Sequence, residues 1–216
     1  MKPYSDQDVQ AIIARVRARL GGTSEAAPLH PRIPVDLPET SLGEGLYPTI
    51  DEAVNAADRA YARYDAMGSG VRASVIASIR SAMLTNAEHL AKLAHEETGL
   101  GRTEDKVRKN ILGATRTPGP EDLEPLIQTG DGGMMLTEHA PFGVIGSITP
   151  STNPTSTIIN NTIAILSGGN AVVFNAHPAA RRVSAENVRL LNRAVLAAGG
   201  PPDLVTAVPE PTIQSA

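Results

Sequence analysis

Residues 141–180 constrain the fold more than any other stretch, because they contain a complete strand–turn–helix–strand pattern. The apolar, β-branched run at residues 144–148 has the length of a buried parallel strand. A helix is predicted to follow, with Asn153 as its N-cap and Pro154 in its first position. Gly168-Gly169-Asn170 ends that helix. Its apolar face is formed by Ile158, Ile159, Thr162, Ile163 and Leu166.

A second apolar run, at residues 171–174, predicts a strand parallel to the first. Ligands of parallel sheets collect at the carboxyl ends of the strands. Two turns are predicted to meet at that edge of the sheet, Thr149-Pro150-Ser151-Thr152-Asn153-Pro154 and Asn175-Ala176-His177-Pro178. We therefore expect a binding site there.

The composition excludes several classes of function. A formal net charge of −4 over 216 residues provides no basic surface for nucleic acid. The chain contains no cysteine, which excludes disulfides, zinc–cysteine sites and a thiol nucleophile within it. No apolar run is long enough to cross a membrane, and the N-terminus lacks the pattern of a secretory signal. The sequence thus predicts a cytoplasmic protein.

The first 40 residues have a pattern of their own. Residues 1–20 predict an amphipathic helix, and the proline-rich segment 21–40 predicts an extended linker. A short helix on such a linker is either a docking peptide or an irregular start of a domain, and the pattern favours docking. The stripe of this helix comprises Val9, Ile12, Ile13, Val16 and Leu20.

Helices are predicted to fill most of residues 49–115. The first spans 49–68 with a capping box at Thr49-Ile50-Asp51-Glu52, and the second follows Ser69. A second capping box, Thr85-Asn86-Ala87-Glu88, is predicted to start a helix that ends near Thr98-Gly99. Residues 102–115 alternate in charge and predict a further helix with a solvated face.

The remainder is predicted to be a hairpin followed by the rest of the sheet. Gly130-Asp131-Gly132-Gly133 is a turn signal within a hairpin at residues 126–140. After the central unit come a helix at about 180–198 and a third buried strand at 204–208. The order predicts an α/β fold with an incomplete, Rossmann-like parallel sheet and flanking helices. Three strands leave an open edge.

Spacing alone identifies little chemistry. The chain has no glycine-rich nucleotide loop, no metal-ligand cluster and no nucleophile elbow. His89 and His95 fit solvated structural roles, and His177 fits a turn residue. Asn153 fits a helix cap better than an oxyanion donor, although both remain open. The residues by themselves predict an α/β ligand-binding unit.

Two stretches add a resemblance to a known family. Residues 96–106, EETGLGRTEDK, resemble a helix-end segment of the aldehyde dehydrogenase superfamily. Residues 140–180, with TPSTNP and GGNAVVFNAHP, are similar to its CoA-acylating branch, and most of all to the propionaldehyde dehydrogenases of bacterial microcompartments. The resemblance extends over about residues 41–216.

The resemblance implies a mechanism and roles for both turns. In this family a cysteine thiolate attacks the aldehyde, NAD⁺ takes the hydride, and the thioester passes to coenzyme A. The oxyanion donor would be Asn153, or Thr152 if the prolines set the register. The nicotinamide side would be lined by Thr149, Pro150, Ser151 and Thr152. The adenosine side would be lined by Asn175, Ala176, His177 and Pro178.

The resemblance also implies an organisation. Residues 41–216 would be the first part of an NAD-binding domain, with residues 126–140 as an oligomerisation hairpin. Residues 1–20 would target the protein to a microcompartment shell. Because the chain has no cysteine, it would be an N-terminal fragment, inactive alone, of a homo-oligomeric enzyme. The alternatives are a non-catalytic docking protein and a hydrolytic aldehyde dehydrogenase that uses water as acceptor.

Overall fold

The computed structural model describes residues 42–212, 214 and 215. The helix predicted at residues 1–20 and the linker predicted at 21–40 lie outside the described residues. Among the described residues, no helix is long and apolar enough to cross a membrane.

Within the described residues, four α-helices precede the hairpin, where the sequence predicts them. The Thr49 hydroxyl caps the first helix by accepting the Glu52 N–H at 3.3 Å, as expected. Gly99 ends the third helix with φ +67°, a left-handed conformation that glycine adopts without strain. The helices are α1 (Ile50–Asp65), α2 (Ser69–Thr85), α3 (Ala87–Thr98) and α4 (Thr103–Arg116).

The capping box predicted at Thr85 is wrong. Thr85 is the last residue of α2, and its hydroxyl donates to the Ser81 carbonyl at 3.0 Å. Asn86 stands at the N-cap of α3 without a side-chain cap, because its amide donates to the Ala82 carbonyl at 2.8 Å. Only one residue separates the two helices, so these side chains bond carbonyls of the last turns of α2 instead of capping α3.

His95 also differs from its expected solvated role, whereas His89 is exposed. The His95 ring is half-buried, and its Nδ1 is buried without a hydrogen-bond partner in the described part of the chain. The reason is that α3 packs against residues 178–197, so its last turn is partly covered.

The predicted hairpin is present as β1 (Leu126–Gly130) and β2 (Gly133–Thr137), an antiparallel pair. Every residue of both strands is exposed.

The central sheet has three parallel strands in the order β3 (Val144–Thr149), β4 (Ala171–Ala176) and β5 (Val205–Ala207). The connections run through α5 (Pro154–Ser167) and α6 (Arg181–Ala197). All five residues predicted for the apolar face of α5 are buried. The core joins the four aliphatic residues among them to residues of the other helices and of β4, such as Ile79, Met83, Val172, Phe174, Val188 and Leu191.

One edge of this sheet is less open than three strands predict. Leu46 forms a parallel bridge with Ala207 of β5. The Ala207 N–H donates to the Gly45 carbonyl at 2.9 Å, and the Tyr47 N–H donates to the Ala207 carbonyl at 3.0 Å. The segment before α1 therefore covers the outer edge of β5, which a search for apolar strands could not detect.

Candidate active-site turn

The two predicted turns meet at the carboxyl edge of the sheet. Thr149, the last residue of β3, is paired in register with Ala176, the last residue of β4. The backbone N–H of His177 donates to the Thr149 carbonyl at 3.0 Å. The start of the second turn is therefore fixed directly to the end of β3.

The polar residues after β3 differ in exposure. Thr149 is buried, and its hydroxyl has no hydrogen-bond partner among the described residues. Ser151 is half-buried, while Pro150 and Thr152 are exposed. Within the described part of the chain, the hydroxyls of Ser151 and Thr152 make no hydrogen bond, so both are available to a ligand.

Asn153 occupies the N-cap position of α5 but does not cap it. Its backbone has φ −136° and ψ 55°, and its side chain accepts no N–H of the helix. Instead, Asn153 Oδ1 accepts a hydrogen bond from Lys109 Nζ of α4 at 2.9 Å. The predicted side-chain cap is thus wrong, because a lysine on the neighbouring helix takes the oxygen that would otherwise bind the backbone.

A second lysine of α4 holds the residue before Asn153. Lys106 is only 5% exposed, and its Nζ donates to the Thr152 carbonyl at 3.1 Å. Burial, and next the nearby charge of Lys109, lower the pKa of Lys106 below its ordinary value. Anchoring this turn therefore costs free energy, because the Lys106 ammonium group is desolvated.

Side chains of two other helices bind the first turn of α5, and one of these side chains is itself held by a third helix. The Thr155 hydroxyl donates to Asn110 Oδ1 of α4 at 2.7 Å, and Asn110 Nδ2 donates to the Ala87 carbonyl of α3 at 3.0 Å. Asn187 Nδ2 of α6 donates to the Thr155 carbonyl at 3.1 Å. These bonds are buried, so they fix the helix start beside Asn153 firmly.

The turn predicted at residues 175–178 begins two residues later. Asn175 and Ala176 belong to β4 and are buried, because pairing with β3 carries the strand beyond its apolar run. Asn175 Oδ1 accepts a hydrogen bond from the Ser215 hydroxyl at 3.1 Å. His177 and Pro178 are exposed at the edge. His177 Nδ1 accepts the Ala179 N–H at 3.1 Å, which leaves Nε2 as a donor in the neutral ring.

An open groove of about 530 Å³ adjoins Asn153. It lies between α4 and α5, and its lining combines apolar, neutral polar and cationic residues. A carbonyl compound in this groove would lie beside the Asn153 amide. The lining includes Lys109, Leu112, Arg116, Asn153, Ser156 and Asn160.

Glu97, within the stretch that resembles the superfamily, binds the start of α6. Its carboxylate accepts the N–H groups of Arg182 and Val183 at 2.9 and 2.8 Å. A carboxylate is favoured at a helix N-terminus by the backbone N–H groups there. Burial nevertheless outweighs these hydrogen bonds and raises the pKa of Glu97.

No group of histidine and acidic residues within the described ranges could hold a metal ion.

Residues 42–215 match the aldehyde dehydrogenase family. The chain belongs to this family. The matched aldehyde dehydrogenase region includes both turns, the three sheet strands and the anchoring helix α4.

Individual aldehyde dehydrogenases show the same relationship. An acetylating acetaldehyde dehydrogenase of Bilophila wadsworthia is 48% identical over 80% of this chain and 35% of its own length. A propionaldehyde dehydrogenase of Rhodopseudomonas palustris, solved with bound CoA and an acylated cysteine, is 44% identical with a TM-score of 0.78. The match covers 81% of this chain and 40% of that one.

A further solved structure is a propionaldehyde dehydrogenase from the fucose-utilisation microcompartment of Clostridium phytofermentans. It is 45% identical with a TM-score of 0.78 and covers 80% of this chain and 40% of its own. The predicted α/β fold and the resemblance to CoA-acylating aldehyde dehydrogenases are confirmed. The chain spans less than half the length of each of these relatives.

Sequence reasoning missed three residues of α4 that anchor this turn and the start of α5, namely Lys106, Lys109 and Asn110. Lys106 and Asn110 are buried four residues apart on one face of α4, whereas Ile111 and Leu112 are exposed. The usual rule that apolar residues face the core would instead bury Ile111 and Leu112 and expose Lys106 and Asn110. The available signal was a polar stripe at i, i+3 and i+4 on a helix that also carries exposed charge.

Proposed function

We propose that residues 42–215 supply the nucleotide-binding strands and the oxyanion turn of a CoA-acylating aldehyde dehydrogenase. The proposed reaction converts a short-chain aldehyde such as propionaldehyde, with NAD⁺ and CoA, to acyl-CoA and NADH. Its main support is the 44% identity to an enzyme solved with CoA and an acylated cysteine, over 81% of this chain.

In this reaction a thiolate adds to the aldehyde carbon, and the carbonyl oxygen becomes an alkoxide. Since residues 1–216 contain no cysteine, the thiol belongs to residues outside this sequence. This chain would hold the alkoxide through Asn153. The Nδ2 group of Asn153 donates to no protein acceptor among the described residues. When bound, the nucleotide supplies a hydride acceptor and CoA supplies the acyl acceptor.

The carboxyl edge of the sheet fits a nucleotide. Thr149, Pro150, Ser151 and Thr152 are proposed for the nicotinamide side, and the unpaired hydroxyls of Ser151 and Thr152 support this. Residues 175–178 are proposed for the adenosine side. There His177 and Pro178 are exposed for direct contact, while Asn175 and Ala176 shape the strand end from within. In keeping with the family resemblance, we propose NAD⁺ as the nucleotide.

CoA dependence tests the acceptor. The native protein that carries this chain is purified, and NADH formation from propionaldehyde and NAD⁺ is followed with and without CoA. We expect sustained NADH formation only with CoA, because acyl transfer to CoA frees the thiol for the next turnover. A rate that is the same with and without CoA would indicate the hydrolytic alternative, in which water is the acceptor.

Residues 1–20 are proposed to dock the protein to a microcompartment shell. Their amphipathic stripe and the proline-rich segment after them support this, together with the microcompartment source of one structural relative. Deleting residues 1–20 is expected to abolish co-purification with shells and to leave the aldehyde dehydrogenase rate unchanged. Unaltered co-purification would contradict the docking role. A native protein that docks but never forms NADH would favour the non-catalytic alternative.

The hairpin of β1 and β2 is proposed as part of a homo-oligomer interface. Two strands alone are marginally stable in water, so exposed apolar hairpin residues favour a partner surface. The most exposed of these is Met134, at 73%.

A further inference from the structure

Two lysines of one helix hold two consecutive residues of the active-site turn. Lys106 binds the Thr152 carbonyl at 3.1 Å, and Lys109 binds Asn153 Oδ1 at 2.9 Å. The lysines are three residues apart on α4 and therefore lie on neighbouring parts of one helix face. The first bond fixes the backbone of the turn, and the second fixes a side chain.

The bond from Lys109 determines which way the Asn153 amide faces. An ammonium group has three donors and no acceptor, so only the amide oxygen can face it. The NH₂ group of Asn153 must then point away from Lys109. Within the described residues, this NH₂ group donates to no protein acceptor, so it is free to bind a ligand.

The same bond strengthens the amide as a donor. A cation on the amide oxygen polarises the group and makes its N–H hydrogen bonds stronger. The N-terminus of α5, which begins at Pro154, adds a positive partial charge beside Asn153. The closest carboxylate along α4 is Asp105, which is paired with Arg102 at 2.6 Å. The turn therefore keeps a positive field that suits an alkoxide.

Because both Asn153 and Lys109 line the groove, the amide and its cation meet any carbonyl compound bound there. We propose that Lys109 is a positioning residue of the oxyanion site, which holds Asn153 with its NH₂ group toward the aldehyde oxygen. This inference rests on the proposed function. It assigns a role in the reaction to a residue outside both turns.

The test uses the native enzyme with Lys109→Met, Lys109→Arg and the control Arg108→Met. Arg108 is the neighbouring cation, with a side chain 81% exposed and paired with Asp105 at 3.6 Å. For Lys109→Met we expect kcat to fall about 10-fold while KM for NAD⁺ and CoA stays within about two-fold. Lys109→Arg keeps a donor and should restore about half of the wild-type kcat. Arg108→Met should match the wild type, and thermal unfolding of each variant checks that it folds.

A double-mutant cycle with Asn153→Ala separates positioning from a general effect of charge. If Lys109 acts through the amide, Lys109→Met should change kcat less than about two-fold once Asn153 is alanine. Equal losses in both backgrounds, or a wild-type rate for Lys109→Met, would overturn the inference and leave the proposed function standing. A wild-type enzyme that forms no NADH with aldehyde and CoA would overturn both.

Discussion

Asn153 and Thr152 are adjacent, yet the structure uses them differently. The Asn153 side chain is held by Lys109 and lines the groove, whereas the Thr152 side chain is exposed and makes no bond within the described residues. Thr152 contributes its backbone carbonyl, which accepts from Lys106. The residue-level geometry thus favours Asn153 as the oxyanion donor that the sequence left open.

Substituting each residue in the native enzyme tests this choice. Asn153→Ala removes the donor and is expected to lower kcat about 100- to 1000-fold, the effect typical of losing one oxyanion donor. Thr152→Val keeps the backbone carbonyl and nearly the same shape, so kcat should remain within about three-fold. Steady-state kinetics with propionaldehyde measure both. The reverse order of effects would assign the donor role to Thr152.

Glu97 gives a pH-dependent prediction. Its folded pKa is raised above the ordinary value of 4.5 by burial, so the folded state binds its proton more tightly than the unfolded state. Its contribution to stability is therefore full below the ordinary pKa and is lost as pH rises through the folded pKa. The free energy of unfolding of the wild type, relative to Glu97→Gln, should decline over that interval. Urea unfolding of both proteins at a series of pH values measures this.

Glu96→Gln is the matched control, since Glu96 is the exposed neighbour of Glu97. Its difference from the wild type should be flat over the same pH range. A Glu97→Gln difference that instead grows as pH rises would mean that the two backbone hydrogen bonds lower the pKa and outweigh burial.

At the level of elements, the sequence predicted every described α-helix and strand but not all of their contacts. Strands β3 and β5 and helix α5 follow from apolar runs and turn residues, because burial of apolar side chains positions them. Helix α4 was predicted, but its buried face was not, because two of the three buried residues on that face are Lys106 and Asn110, beside Ala114. Polar residues such as these are buried only when other elements supply hydrogen-bond partners for them. A single sequence does not reveal those partners.

The predicted ends of three elements were wrong for a related reason. Thr85 and Asn153 both carry side chains suited to capping, yet each bonds elsewhere. The short α2–α3 junction and the neighbouring lysine decide these outcomes, and both are matters of packing. In β4, pairing with β3 extends the strand to Ala176 beyond its apolar run.

The proposed role of the hairpin in a homo-oligomer interface can be tested on one of its faces. Ile127 lies opposite Leu136 in the register, so their side chains share one face, and both are more than half exposed. Leu136→Lys should shift the native protein toward smaller species in size-exclusion chromatography, with about a 10-fold weaker association, because a charge replaces buried apolar area. Thr137→Lys adds the same charge on the opposite face and is the control. An unchanged elution of Leu136→Lys would exclude this face from the interface.

At the scale of the whole molecule, the chain holds the proposed oxyanion turn and the proposed nucleotide edge but no cysteine thiol. Its relatives of known structure include an enzyme with an acylated cysteine, and the chain spans 40% of that protein. The central claim is therefore that these residues work in one polypeptide with a cysteine that lies outside residues 1–216.

The most direct test is the intact mass of the native protein, isolated through an N-terminal epitope after exposure to propionaldehyde and NAD⁺ without CoA. The account predicts a mass well above the 22.6 kDa of this chain, with one added acyl group that CoA removes. A mass of 22.6 kDa with no acyl adduct would contradict it, because this polypeptide would then contain no nucleophile for the thioester.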